Sequence, residues 1–525
     1  FISYLATSAV PKHFLILGKG IEYDRINHRI ASSRALDLIP TGGSPASDAI
    51  FAMDYRNNNF NLSMPIGRVS ATTATDIVNY LNKVKEYEAV PDGVDWRKNI
   101  LQLGGGKSLG EMSQIAAYLR SYARIAQGPL LGASITEKYR QNVSEVVEVV
   151  NVSEELNKGL SMITFFGHSS PGTTDLDIGY VSTAVNNYKN KGKYPIMLMN
   201  GCNVGDAYTP NAVSFGEDWL NTADKGAVAL VAHVDAGYAN FLDLYSSYFY
   251  TVAFREEEFY GSTLGQVQQE TIKRVAQTTS NDIATAMITE MALQGDPALK
   301  VYNPAKPDYL FKDNSFSVTS ASGETVTASA DEFIVTVNLN NLGKAITDSV
   351  TVTVKRTLAD NTTRSYDPIK IGPVLKAGKV QLRLDNKGTP ALGMNSFEIK
   401  LDGTDEIEEL NENNNTATFQ HYFPVSGLVA LSPANYGIVG TSAVKLTVQA
   451  TQLAENTKGF YFELDTTQAF NSPLKQSYTA DFALMPSWDA TLPKGAADTY
   501  STVYYLRYRF QTYGVGEDTV WAKIC

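Results

Sequence analysis

The chain has 525 residues, of which 43% are hydrophobic and 19% charged, a composition typical of folded globular domains. Its formal net charge of −11 argues against a nucleic-acid partner and against adhesion to an anionic membrane surface. No apolar run is long enough to cross a bilayer as a helix, and the length predicts roughly three or four domains.

Residues 1–95 are predicted to form an N-terminal α/β subdomain. Short apolar runs predict strands at His13–Gly18 and Ala49–Met53, and an apolar face of helical period predicts a helix from Asp76 to Tyr87. His13 and His28 have no cysteine or carboxylate constellation around them, so both are interpreted as structural.

Residues 96–303 are predicted to form a second α/β subdomain. It begins with a strand and turn at Asn99–Gly106, followed by a helix from Leu109 to Ala126. The string GGGKS at Gly104–Ser108 is similar to a phosphate-binding loop, but the first glycine of that pattern is replaced by Leu101. Nucleotide binding is therefore disfavoured.

The stretch from Ser161 to Asp206 organises this subdomain. It contains two short apolar runs, one ending in Gly167-His168 and the other in Gly201-Cys202. Runs of this kind are typical of buried parallel strands, and Val181–Lys189 between them is predicted to be the crossover helix. Ligands bind at the carboxyl ends of such strands, so the two side chains are expected to face one cleft.

A cysteine and a histidine at one cleft form a nucleophile–base pair, because the imidazole can accept the thiol proton. The alternative is that Cys202 and His168 are both structural. The chain has two cysteines and the other, Cys525, is its last residue, so no disulfide framework competes for Cys202. The pattern predicts a cysteine peptidase site. His233, at the end of the predicted strand Gly226–His233, is the alternative base.

Three further helices are predicted at Asn240–Phe254, Leu264–Ala276 and Asp282–Leu293. After residue 303 the apolar residues alternate with period two, which predicts one β-sandwich over 308–424 and a second over 425–525. The acidic stretch Asp402–Asn415 could suggest a structural calcium ion, but its spacing misses the EF-hand pattern. A solvated loop is the favoured interpretation, and no cofactor is assigned.

The segments Thr164–Ser169 and Asn200–Asp206 resemble the gingipain family of caspase-fold cysteine peptidases. Within that family the pattern is most similar to PorU-type sortases of the type IX secretion system of Bacteroidetes. The likeness covers about residues 10–303. The first β module resembles a CARDB domain, through the string at Glu409–Asn414, and the second resembles a fibronectin type III domain, through Tyr504–Arg509.

The resemblance implies that Cys202 is the nucleophile and His168 the general base and acid. We expect the backbone N–H groups of Cys202 and Ser169 to bind the oxyanion, and Glu111 and Asp175 are the candidate orienting acids. Many family members have glycine where this chain has Ser169, so a turn that required positive φ would be strained here.

The implied function is that of a cysteine endopeptidase or sortase-type transpeptidase, which acts on protein substrates through a thioacyl-enzyme in type IX secretion. The alternative is an inactive, peptidase-like surface adhesin or secretion scaffold. The implied location is secreted or on the outer-membrane surface of a Gram-negative bacterium. The chain starts without a signal-peptide pattern and stops within a predicted strand, so we expect it to be part of a longer protein.

Overall fold

The computed structural model describes residues 11–24, 31–54, 57, 59–279, 281–312, 316–321, 326–328, 330–389, 391–423, 428–434, 436–450, 457–493, 502–512 and 522–524. His28 and Cys525, which were interpreted from the sequence, lie outside these residues.

The first three fifths of the chain form an α/β domain. Its strands are β1 (Phe14–Leu17), β2 (Ile66–Val69), β3 (Asn99–Gly104), β4 (Ser134–Tyr139), β5 (Glu148–Val149), β6 (Met162–Phe166), β7 (Ser169–Ser170), β8 (Thr173–Thr174), β9 (Leu176–Asp177), β10 (Ile196–Asn200), β11 (Ala229–His233) and β12 (Met291–Gly295). Its helices are α1 (Ala31–Arg34), α2 (Ala74–Glu88), α3 (Leu109–Gln127), α4 (Ser153–Lys158), α5 (Phe215–Asn221), α6 (Ala239–Phe254), α7 (Leu264–Thr278) and α8 (Asp282–Thr289).

One sheet of eight strands in the order β1-β2-β12-β11-β10-β6-β3-β4 runs through this domain. The strands β4, β3, β6, β10 and β11 are parallel to one another, and β11 meets β12 in an antiparallel pair. Every residue of β6, β10 and β11 is buried, as expected for strands covered on both faces. Because β1 and β2 extend the same sheet, the two predicted subdomains share it.

Three local predictions from the sequence were wrong. Val181–Lys189 is not a crossover helix: it contains only the short 3-10 turn Ala184–Asn186, which ends with Asn187 in the left-handed region at φ 54°. The predicted strand at Ala49–Met53 is instead a 3-10 turn. The last predicted helix stops at Thr289, because its continuation pairs with β11 as a strand. Tertiary pairing there overrides local helix propensity.

Two sheets form the first β domain, with the strands β13 (Tyr309–Phe311), β14 (Ser317–Thr319), β15 (Glu332–Asn341), β16 (Val350–Thr357), β17 (Thr363–Ser365), β18 (Ile369–Ile371), β19 (Ala377–Asp385), β20 (Gly393–Leu401) and β21 (Thr416–Phe423). Phe333, Val335, Val337 and Leu339 are buried in alternation along β15, as their period of two predicts.

The second β domain also has two sheets, β22-β23-β26 and β25-β24-β27-β28. Its strands are β22 (Leu428–Ser432), β23 (Ala443–Ala450), β24 (Thr457–Asp465), β25 (Gln476–Asp481), β26 (Ser487–Thr491), β27 (Tyr505–Thr512) and β28 (Ala522–Ile524). The aromatic residues Phe460, Phe462, Tyr508 and Phe510 lie in its core.

Lys98 joins the α/β domain to the first β domain. Its side chain is fully buried, and its Nζ donates to the carbonyl oxygens of Asn341, Gly343 and Leu375 at 3.0, 2.8 and 2.9 Å. Nearby, the backbones of Leu130 and Ala345 exchange two hydrogen bonds of 2.8 and 2.9 Å. The two domains are therefore connected by buried polar contacts and not by the linker alone.

Candidate active site

The strands β6 and β10 bring His168 and Cys202 to the same edge of the sheet. Their parallel register pairs Phe166 with Asn200, so each site residue lies two positions beyond a matched pair. The amide of Gly167 continues the ladder by donating to the carbonyl of Asn200 at 3.0 Å. The adjacency predicted from the two apolar runs is present, although no helix connects them.

The two loops beyond these strands pack closely at Gly201. A Cβ atom on Gly201 would lie 2.1 Å from Ser169 Oγ, so any residue other than glycine would displace the serine. That same Oγ donates to the carbonyl of Cys202 at 2.7 Å. The glycine before the cysteine thus allows the histidine loop to be hydrogen-bonded directly to the cysteine loop.

The ring of His168 is hydrogen-bonded to Glu111. Its Nε2 lies 2.7 Å from Glu111 Oε1, and both side chains are about one-third exposed, at 37% and 35%. Glu111 lies in the first turn of α3, whose N-cap Ser108 accepts from the Glu111 amide. The Ser108 cap fixes the start of this helix, and Glu111 Oε2 accepts from the Lys107 amide, which leaves Oε1 for the histidine.

Glu111 is held in its ionised form. Partial burial opposes this, but the hydrogen bonds from the Lys107 amide and the His168 ring outweigh it and keep the pKa of Glu111 below its ordinary value. The positive end of the α3 dipole acts in the same direction. A carboxylate that only accepts hydrogen bonds is therefore set against one nitrogen of the histidine.

Asp175, the second candidate acid, lies beneath the loops and not on the imidazole ring. Its side chain is 4% exposed, accepts from the Gly106 amide at 2.8 Å, and has Arg140 Nη1 at 3.5 Å. Its own amide donates to the carbonyl of His168 at 2.8 Å. Asp175 therefore ties the histidine loop to the glycine turn that precedes α3.

The backbone amides of the glycine turn, which is similar to a phosphate-binding loop, are already hydrogen-bonded to side chains of the protein. The Asp175 carboxylate takes the Gly106 amide, and Glu111 Oε2 takes the Lys107 amide at 2.7 Å. A Cβ atom on Gly105 would lie only 1.9 Å from Asp175 Oδ1. Carboxylates of the chain itself fill this anion-binding turn, which is consistent with disfavouring nucleotide binding.

Cys202 is partly exposed, and its sulfur accepts a hydrogen bond from the Gly237 amide at 3.3 Å. Asn203, next to it, is in the left-handed region at φ 59°, a conformation that asparagine tolerates better than most residues. The Asn203 amide donates to the carbonyl of Asp235 at 2.9 Å. The cysteine loop is thus attached to the segment that follows β11.

His233, the alternative base, is fully buried. Its Nδ1 is 2.9 Å from the carbonyl oxygen of Asp235, and its Nε2 is 3.5 Å from Glu290 Oε2. Both ring nitrogens are therefore directed to groups other than the cysteine sulfur.

Ser169 lies in β7 with an extended backbone, so the strain considered for a serine at this position does not arise. Ser169 is paired with Thr174 in a short hairpin. The neighbouring residues His168 and Asp175 are joined by a hydrogen bond, which the Asp175 amide donates to the His168 carbonyl. In an antiparallel ladder bonded and non-bonded pairs alternate, which directs the Ser169 N–H away from its hairpin partner.

Gly237 was missed from the sequence as a residue of the site. The available signal was its position just after β11, because β6, β10 and β11 run parallel and end at the same edge of the sheet. Its contact with the cysteine depends on the path of a loop, which periodicity does not predict.

Within the described ranges, no group of three or more His, Cys, Asp or Glu side chains could hold a metal ion. In the acidic stretch at 402–415, Asp402 accepts from two backbone amides four and five residues further on. Glu409 accepts from the Tyr309 amide and from Asn415. These two carboxylates close the loop by hydrogen bonds to the chain.

Residues 1–302, more than half of the chain, match the model of peptidase family C25. The chain belongs to this family, the gingipain family of cysteine peptidases. The predicted membership and the predicted enzyme class, a cysteine peptidase acting on proteins, are confirmed. Residues 313–419 match the CARDB family, which confirms the assignment of the first β domain. The fibronectin-like nature of the second β domain stays a prediction.

Solved structures similar to this family C25 chain include the Arg-specific cysteine proteinase gingipain R, at 14% identity and a TM-score of 0.46, over 80% of this chain and 85% of that one. The complex of the Porphyromonas gingivalis RgpB pro- and mature domains is 16% identical with a TM-score of 0.44, over 78% and 85%. The CARDB domain of the PF1109 protein from Pyrococcus furiosus, in complex with di-metal ions, is 20% identical with a TM-score of 0.18, over 23% and 92%.

A comparison with curated proteins gave no match. Among the helices of the described residues, none has the length and apolarity needed to span a membrane.

Proposed function

We propose that Cys202 is the nucleophile of this peptidase, His168 its general base and acid, and Glu111 the residue that orients the histidine. The observation that carries this proposal is the 2.7 Å contact between His168 Nε2 and Glu111 Oε1, at the sheet edge where Cys202 also lies. A carboxylate, an imidazole and a thiol at one edge form the constellation of a cysteine peptidase.

The contact with Glu111 selects the tautomer of the histidine. An ionised carboxylate can only accept, so His168 Nε2 carries the hydrogen and Nδ1 keeps its lone pair. Nδ1 is then the atom that takes the Cys202 proton and later returns it to the leaving amine. The resulting imidazolium is stabilised by the negative charge of Glu111.

The thiolate attacks the carbonyl carbon of the scissile peptide bond, and the C–N bond breaks as the amine receives the proton from His168. This leaves a thioacyl-enzyme on Cys202, which water hydrolyses. We assign the oxyanion donors to the backbone N–H groups of Cys202 and Ser169. The direction of the Ser169 N–H, away from its hairpin, supports this role.

The test is peptide cleavage by the Cys202→Ala variant, with Cys525→Ala as the matched control for the other thiol. We expect Cys202→Ala to lose measurable turnover and Cys525→Ala to retain it. Intact cleavage by Cys202→Ala would contradict the assignment. Thiol labelling of the unmodified protein distinguishes a peptidase from the alternative, an inactive scaffold. In a scaffold Cys202 would be structural and would react slowly at neutral pH.

The finer predictions concern the fate of the thioacyl-enzyme and the place where it forms. A sortase-type transpeptidase would transfer the acyl group to an amine in place of water. Adding glycinamide during turnover tests this, since mass spectrometry would detect the amide-extended product. Action in type IX secretion, at the outer-membrane surface or outside the cell, stays a prediction that localisation in the source bacterium would check.

A further inference from the structure

The segment 234–237, which follows β11, is hydrogen-bonded along the cysteine loop. The Gly205 amide donates to the carbonyl of His233, and the Asn203 amide donates to that of Asp235, both at 2.9 Å. Asn203 Nδ2 donates to the carbonyl of Val234 at 3.2 Å. The segment ends at Gly237, whose amide donates to the sulfur of Cys202. The position of this last donor therefore depends on how the whole segment is held.

His233 holds the segment from inside the domain. A carbonyl oxygen can only accept, so the contact of 2.9 Å between His233 Nδ1 and the Asp235 carbonyl places the ring hydrogen on Nδ1. The same carbonyl accepts from the Asn203 amide. One oxygen thus joins the buried histidine to the residue that follows the cysteine.

The other ring nitrogen of His233 faces Glu290. Nε2 is buried, makes no hydrogen bond to the described part of the chain, and lies 3.5 Å from Glu290 Oε2. The backbone carbonyl of Glu290 also accepts from the Val234 amide at 3.0 Å. A lone pair on Nε2 and an ionised carboxylate would repel each other, so the contact is favourable only when one proton lies between them.

The surroundings favour the neutral form of both groups. Burial lowers the pKa of His233, and burial together with the nearby charge of Asp235 raises the pKa of Glu290 to about 7. The protonated carboxyl of Glu290 then lies beside the lone pair of Nε2 without repelling it. In the described part of the chain, Asp235 is the charged group that acts on both His233 and Glu290.

We propose that His233 and Glu290 are positioning residues for the nucleophile: they share one proton and hold segment 234–237 so that the Gly237 N–H meets the sulfur of Cys202. The inference rests on the proposed function where it names Cys202 as the nucleophile. A hydrogen bond to sulfur stabilises a thiolate over a thiol, so loss of the Gly237 N–H should weaken Cys202 as a nucleophile without changing any contact to substrate.

The experiment measures the rate of Cys202 alkylation by iodoacetamide across a pH series, together with kcat and KM for a peptide substrate. All variants carry Cys525→Ser, which removes the second thiol. We expect Glu290→Ala to raise the pH midpoint of alkylation by about one unit and to lower kcat about tenfold, with KM nearly unchanged. Glu290→Gln has an amide N–H that can donate to Nε2. This variant should keep the pH midpoint close to that of the unmodified residue and kcat within about twofold of it.

His233→Asn is the second variant. Its amide nitrogen can replace Nδ1 in the bond to the Asp235 carbonyl but leaves nothing to face Glu290, so we expect the same shift as in Glu290→Ala. Ile272→Val, in the buried face of α7, is the control for general destabilisation and should leave the midpoint unchanged.

The inference is overturned if Glu290→Ala and His233→Asn leave the midpoint unchanged, if Glu290→Gln shifts it as far as Glu290→Ala does, or if Ile272→Val shifts it equally. Alkylation needs no turnover. The alkylation series therefore tests the positioning role even if Cys202→Ala retains cleavage. Failure of the proposed function would show in the cleavage assay alone.

Discussion

Nε2 of His168 lies 2.7 Å from Oε1 of Glu111, although 57 positions separate the two residues in the chain. The histidine follows strand β6, and the glutamate belongs to the first turn of the helix after the neighbouring strand β3. Sheet order therefore brings an acid from one βα turn onto the base that follows the next strand. The orientation of the base depends on where α3 begins.

Glu111→Gln should lower kcat with little effect on KM. Glutamine keeps an oxygen that can accept from Nε2 but loses the negative charge that stabilises the imidazolium formed during proton transfer. We expect kcat to fall between about 10-fold and 100-fold, measured with a chromogenic peptide at saturating concentration. Glu154→Gln, in the exposed first turn of α4, is the matched control and should retain full activity. An unchanged kcat for Glu111→Gln would remove Glu111 from the mechanism.

Asp175→Asn should destabilise the α/β domain. The change leaves the buried guanidinium of Arg140 without its counter-charge and weakens the acceptor for the Gly106 amide. Breaking a buried ion pair by removing one partner costs about 3–5 kcal/mol, so we expect a loss of this order in the free energy of unfolding, measured by urea titration. Asp177→Asn, two residues further on and partly exposed, should cost much less. Equal losses for the two variants would argue against a special role for Asp175.

Lys98→Met should weaken the joint between the α/β domain and the CARDB domain. The apolar side chain fits the buried space but leaves three carbonyls without their donor, and each orphaned group costs about 1–3 kcal/mol. We expect faster proteolysis between residues 303 and 308 and a lower unfolding midpoint. Lys376→Met removes the ion pair with the exposed Asp95 at the same joint, where a loss below about 1 kcal/mol is expected. A stable, protease-resistant Lys98→Met variant would contradict this account.

Glu409 should make the CARDB domain less stable as the pH rises. Burial raises the pKa of Glu409 to about 7, whereas in the unfolded chain it titrates near its ordinary value of 4.5. Between these two values the folded state binds more protons than the unfolded state, so stability falls with rising pH, by up to about 3 kcal/mol in total. Urea unfolding at several pH values would measure the slope.

Glu409→Gln is the test of that slope, because an amide does not titrate. The variant should flatten the decrease over this pH window. A slope as steep as that of the unmodified chain would assign the effect to another group.

The sequence was sufficient to predict that the strands before His168 and Cys202 are neighbours, because two short and largely apolar runs ending in Gly-His and Gly-Cys favour buried parallel strands, although the helix predicted between them is absent. It could not choose between Glu111 and Asp175, since both follow strand ends at the same edge. That choice depends on loop paths of a few ångströms. The strand at Met291–Gly295 was missed because its residues favour helix and only pairing with β11 makes them extended.

The three carbonyl partners of Lys98 all belong to residues beyond 340. A recombinant catalytic fragment that ends at residue 303 would therefore expose the Lys98 amine and remove its hydrogen-bond acceptors. Expression of the peptidase for biochemical work should therefore extend through Phe423, the end of β21. Poor behaviour of a shorter fragment would reflect the missing cover and not a defect of its active centre.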